Sequence, residues 1–314
     1  MASAEHLEIL SQGVETWNQW RSENPTLKPD LREVDFHQAT FTAINFEDCD
    51  LSRSNLREAI FDRSNFQRAS LYRVDLCMTR FTQSNLQEVD LYGANLYTAN
   101  LTQANLRYAN LYQADLREAI LYQADLRDAH LYEVDLRSAM LEEANLIGAT
   151  LYLADLSNAH LNRANFCMAS LVGTILQGAD LGGANLVNAN LYKASLRHAD
   201  LRGADLREAV LSLADLSDAL LENTNLSMTN LIGACLAGTA LEDANLESAN
   251  LWDAQLKRSP LREVTRKGAK LERTPQREGQ RSQSSQPPQP QRLVPPAQAT
   301  RDLERTLPLS LFAP

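Results

Sequence analysis

The sequence predicts an all-β solenoid wound from four-sided coils, and three observations carry that expectation. First, every fifth residue from Leu31 to Leu261 is Leu or Phe, 47 consecutive positions without a miss. Second, a small or β-branched residue stands two places before each of them from Phe36 onward. Ala39, Ala59, Ala94, Ala124 and Ala204 are typical; Val34, Cys49, Ser84 and Thr224 are variants. Third, other features recur every twenty residues. Tyr follows the large residue at 72, 92, 112, 132, 152 and 192, with Val172 the single interruption. A fixed internal period is read before local propensity because it sets the architecture.

A period of five suits neither regular element. On a helix, steps of five wander around the cylinder and leave no lasting stripe. On a flat strand they alternate between faces. A chain that keeps one side apolar at this period must turn once per unit, so each unit reads small-x-large-x-x with two residues inward and three outward. The twenty-residue columns then require four units per coil. A second column agrees: the residue before the large one is Asn at 45, 65, 85, 105, 145, 165, 185, 225 and 245, with Asp125 and Asp205 in the gaps. Asn and Asp suit turns through local hydrogen bonds, and stacked amides bond from coil to coil. About 12 coils at ~4.8 Å spacing make a rod roughly 55 Å long.

The repeated Ala-Asn-Leu and Ala-Asp-Leu triplets through residues 31–261 resemble the pentapeptide-repeat family, and its cyanobacterial members in particular. The resemblance covers roughly three quarters of the chain. It implies a right-handed quadrilateral parallel β-helix. It also implies a protein without catalysis, since most members have none; a few protect DNA gyrase by imitating DNA.

Taken in order, residues 1–30 are expected to hold an N-terminal capping α-helix and a linker. Ser3 is a suitable N-cap for a helix over 3–23, Leu7, Leu10, Val14 and Trp17 form one stripe, and Pro25 and Pro29 follow as stops. Solenoids need such caps to hide terminal core and open strand edges. Residues 31–261 form the β-helix. Six of its seven Phe fall between Phe36 and Phe81, which predicts a different cross-section there. Gly falls at outward positions, among them Gly93, Gly148 and Gly173, where tight turns are tolerated. No Pro lies between Pro29 and Pro260, as a ladder that needs its N–H groups requires. Residues 262–314 read as a basic, Pro/Gln-rich disordered tail. It ends in an apolar motif, Leu303, Leu307, Leu309, Leu311 and Phe312, which is a candidate docking motif, a lid for the last coil, or inert.

The net charge of −10 divides into +5 after residue 261 and −15 before it. An acidic rod with a basic tail disfavours nucleic acid as a partner. No run is apolar enough to span a membrane, and Glu5, Glu8 and Glu15 interrupt any signal-like N-terminus, so a cytoplasmic protein is expected. The four Cys lack metal-ligand spacing; Cys49 is expected inward, and Cys77, Cys167 and Cys235 outward, all as free thiols. The five His are scattered over faces and coils. No catalytic motif appears, and no cofactor or metal is implied. Asp115, Asp125 and Asp135 stand two residues from Arg117, Arg127 and Arg137, and read as solvated pairs rather than acid–base machinery.

The outer face that carries Tyr72, Tyr92, Tyr112, Tyr132, Tyr152 and Tyr192, and later Trp252, has the fewest charges. It is a candidate interface, or a ladder that stabilises the sheet. The expected function is a scaffold for unidentified protein partners, with homodimerisation possible. The alternative is a DNA mimic that binds gyrase or another topoisomerase.

Overall fold

The computed structural model describes residues 2–257 and Ala269. They belong to one compact unit, Met1–Arg273; a second unit, Thr274–Pro314, lies outside the described residues, and the terminal apolar motif lies there with it.

Two helices open the chain, α1 (Ala4–Ser11) and α2 (Val14–Glu23). The single helix expected over 3–23 is thereby corrected. Ser3 caps α1 as expected, its hydroxyl accepting from the His6 N–H. The break falls at Gly13, whose φ of 106° no helical residue adopts and glycine adopts without a Cβ penalty. The bend brings both Leu10 and Trp17 into the core.

From Asp30 the chain winds into coils. Parallel bridges join residues twenty apart, from Asp30↔Asp50 to Cys235↔Gln255, without a slip in register. Each unit gives three ladder bonds. In one of them Leu111 N–H donates to the His130 carbonyl at 2.8 Å, and in the next Gln113 N–H donates to the Tyr132 carbonyl at 2.9 Å. Nearly every unit then closes a turn within itself, as when Ala39 N–H donates to the Phe36 carbonyl at 3.0 Å. The second residue after each Leu or Phe has positive φ at every step from Glu33 to Asp253. Positive φ at the third turn position alone marks a type II turn. Four such turns close each coil, and the described residues complete a little over eleven coils.

The inward residues form one continuous core. The Leu and Phe column is buried from Phe46 to Leu251, with the small residues beside it. In the early coils phenyl rings stack along the axis, with centroids 5.8 Å apart for Phe41–Phe61 and 5.4 Å for Phe61–Phe81. Hydroxyls at the small positions stay buried because each finds a backbone carbonyl. Ser84 donates to Phe61 at 2.6 Å, and Thr174 to Leu171 at 2.7 Å.

At the N-terminal end the helices bond to the first coil through side chains. Trp17 is fully buried, lies edge-on to Phe46 and donates its indole N–H to the Asn45 carbonyl at 2.7 Å. Asn18 donates to Ala43 O and accepts from Asn45 N–H. Arg21, 2% exposed, reaches the Glu47 carbonyl at 2.8 Å. Polar backbone that a bare terminal coil would leave to solvent is thus paired by α2.

Candidate interaction surface

The twenty-residue register places Tyr72, Tyr92, Tyr112, Tyr132 and Tyr152 directly above one another. Their rings form a run with centroid spacings of 5.4, 5.2, 6.2 and 6.0 Å. The first two contacts are stacked, with planes within 24° of parallel; the last two are tilted. Coil spacing imposes this run, since side chains at one outward position repeat at the strand separation. Val172 ends it, and Tyr192 stands apart with the Lys193 ammonium 5.2 Å from its ring centroid. Arg73 sits likewise over Tyr72 at 5.3 Å.

Beyond Tyr152 the same face becomes aliphatic and more exposed. Leu153 is 47% exposed, Leu213 48%, Ile232 37% and Trp252 52%. Two glycines make room for these leucines. A Cβ at Gly173 would come within 2.9 Å of Leu153 Cδ2, and one at Gly233 within 2.7 Å of Leu213 Cδ2. The leucines therefore lean along the face over bare backbone. Sequence reasoning did not single out Ile175, which is 41% exposed at the edge of this patch. Its signal was present as an apolar residue in a column otherwise polar at 155, 195 and 215.

The two flanking faces are chemically different. Arg117, Arg127 and Arg137 bind the Asp two residues before them, the pairing expected from sequence; Arg207 repeats it on a flank, and Arg202 on the face opposite the tyrosines. The Arg202 guanidinium holds the Asp200 carboxyl below the usual carboxylate range. Asn and Asp at the position before the large residue accept from the backbone N–H two residues on, as Asn105 does from Arg107. They also bond between coils, Asn85 Nδ2 to Asn65 Oδ1 at 2.9 Å and Asn105 Nδ2 to Asn85 Oδ1 at 2.9 Å. Both readings of that column hold together.

One cysteine departs from expectation. Cys77 is outward in the repeat yet only 4% exposed, because its column neighbours in adjacent coils are the long side chains Arg57 and Tyr97. Burial raises the Cys77 thiol pKa, and raises that of Cys49 further. All four thiols are free. Among the described residues no group of His, Cys, Asp and Glu has the arrangement of a metal site. None of the described helices is long and apolar enough to cross a membrane. The candidate docking motif, Leu303 to Phe312, lies outside the described residues.

A family model described as pentapeptide repeats matches in overlapping segments from residue 30 to residue 274. No curated protein matches. Among solved structures, HetL of the cyanobacterium Nostoc, described as involved in heterocyst differentiation regulation, is 31% identical. The match covers 77% of this chain and 94% of HetL, with a TM-score of 0.41. Rfr23 of the cyanobacterium Cyanothece is 43% identical over 29% of this chain and 58% of its own, with a TM-score of 0.25. QnrB1, a plasmid-mediated fluoroquinolone resistance protein, is 19% identical over 59% of this chain and 92% of its own, with a TM-score of 0.43. With the repeat matched over most of its length, the chain belongs to the pentapeptide-repeat family, and its solenoid is that family's right-handed quadrilateral β-helix.

Proposed function

We propose that the protein is a non-catalytic scaffold that binds protein through its Tyr face. One observation supports this most: a single side of the rod combines a stacked Tyr run, exposed Leu153, Leu213, Ile232 and Trp252, and few charges. Rigid aromatic side chains on a preformed surface bind at low entropic cost. The four free thiols suit a cytoplasmic setting.

Imitation of DNA is disfavoured by the Asp–Arg pairs on the other three faces. A phosphate-like track needs carboxylates without counter-charges, and these carboxylates are neutralised within the chain. A gyrase supercoiling assay with micromolar protein is expected to show no effect.

The scaffold reading is tested by affinity capture with the full chain and with a Tyr112→Ala/Tyr132→Ala variant. A protein held by the first and lost by the second is the expected result. Capture unchanged by the double substitution defeats the reading, and a chain cut before Pro275 then shows whether the terminal motif does the binding.

A further inference from the structure

We infer that the Tyr face is occupied by a second copy of this chain, packed antiparallel about a two-fold axis that crosses the face between the coils of Tyr152 and Val172. The inference rests on the proposal that this face is a protein contact, and it names the partner.

The argument begins with charge. Along the face from Ser70 to Asp253, the outward columns contain only Arg73, Asp90, Glu133, Lys193 and Asp253 as charged side chains. Asp90 is recessed, and its carboxylate accepts from Tyr92 N–H and Asn110 Nδ2. The other four share one column, the turn residue with positive φ. None of the four makes an ion pair within the described residues, in contrast to the Asp–Arg columns on the flanking faces. Glu133 accepts a neutral donor, Gln113 Nε2, at 2.8 Å. Arg73 and Lys193 rest on tyrosine rings.

Their spacing is self-complementary. Arg73 and Asp253 lie nine coils apart, Glu133 and Lys193 three coils apart, and both pairs have the same midpoint, position 163. A two-fold axis in the plane of the face and perpendicular to the rod reverses coil order but leaves each column facing its own copy. At that midpoint every one of these charges meets its opposite: Arg73 meets Asp253 of the partner, and Glu133 meets Lys193 of the partner, each twice. Shifting the axis by one or more coils either brings like charges together or leaves charges unmatched.

The neighbouring columns agree with the same axis. Tyr72 falls opposite Trp252 of the other copy, Tyr132 opposite Tyr192, and Tyr152 opposite Val172. Asp90 falls opposite Asn230, a donor of suitable reach. A two-fold contact needs such self-complementarity because one patch supplies both sides. The ten coils from Tyr72 to Trp252 span about 50 Å at ~4.8 Å each, and a side is about 12 Å wide. The contact buries on the order of 600 Å² per copy, near the lower limit of stable interfaces.

Sedimentation of the full chain at micromolar concentration tests this. The expected result is a dimer. Arg73→Asp alone and Asp253→Arg alone each weaken it by roughly tenfold or more, because each places like charges opposite one another twice. Mixing the two single variants restores association, since the mixed dimer has an acid opposite a base at both contacts. Glu133→Lys with Lys193→Glu repeats the test at the inner pair, and all four positions are turn residues outside the core. A monomer at these concentrations, or single variants that associate like the unaltered chain, or mixtures that fail to recover, overturns the inference. The scaffold reading is judged separately by capture. A monomer that loses a captured protein on Tyr112→Ala/Tyr132→Ala sinks the dimer and leaves the scaffold. A dimer that captures no other protein sustains the dimer and leaves a second copy as the protein this face binds.

Discussion

Thr98 shows what the coil demands of one residue. It sits at the turn position with φ 54°, a conformation in which a β-branched side chain is strained. Its hydroxyl bonds the neighbouring Tyr97 carbonyl at 2.7 Å, which offsets part of that cost. Elsewhere the same position holds Asp128, Asn158, Asn188 and Gly203, types that adopt left-handed backbone more easily. Thr98→Asn is therefore expected to stabilise the solenoid by about 0.5–1 kcal/mol. Urea titrations of the two proteins measure it, and a lower midpoint for the variant contradicts the strain argument. Gly148 shows the converse. Its φ of 69° is ordinary for this column, but a Cβ there would run into Asp128 Oδ1. A side chain there would first have to displace the carboxylate end of Asp128.

Among the elements, α2 has the most consequence for the rest. Trp17 joins helix to coil by burial, by a ring contact to Phe46 and by its bond to the Asn45 carbonyl. Trp17→Ala is expected to cost about 3–5 kcal/mol. The loss will be local first, because a solenoid's coils interact chiefly with their nearest neighbours. Hydrogen exchange is expected to accelerate in residues 31–70 while amides of the middle coils keep their protection. Uniform acceleration along the whole rod would show that the repeat unfolds as one cooperative block instead.

On the scale of the whole solenoid, the acidic surface ties stability to pH. Bonding from Arg32 holds the Asp30 carboxyl at about 2; Arg68 lowers Asp48, and Arg202 lowers Asp200. A carboxyl whose pKa is depressed on folding stabilises the native state above its unfolded value, near 4, and loses that contribution as pH falls through the folded value. Thermal midpoints are expected to be flat from pH 7 to about 5 and to fall between about pH 4 and 2. The decline should be modest, because these pairs are solvated. A midpoint that rises on acidification would mean that repulsion among the excess acids outweighs the Arg pairs.

The sequence by itself determined the coil: the five-residue period, the inward pairs, four units per turn and the stacking of every outward column at twenty residues. These follow from one local rule repeated, and repetition makes a long-range register readable from spacing alone. It also determined that Asn and Asp serve the turns and that Tyr72 to Tyr152 share a column. Only the tertiary structure decided where side chains go once the columns are stacked. It broke the N-terminal helix at Gly13, and docked Trp17 and Arg21 on backbone that no sequence pattern marks. It covered Cys77 with Arg57 and Tyr97, and laid Leu153 and Leu213 over Gly173 and Gly233. The physical reason is that these outcomes depend on the rotamers and bulk of residues in neighbouring coils or in a separate element. A periodic code specifies the backbone path, but not how unlike side chains share the space outside it.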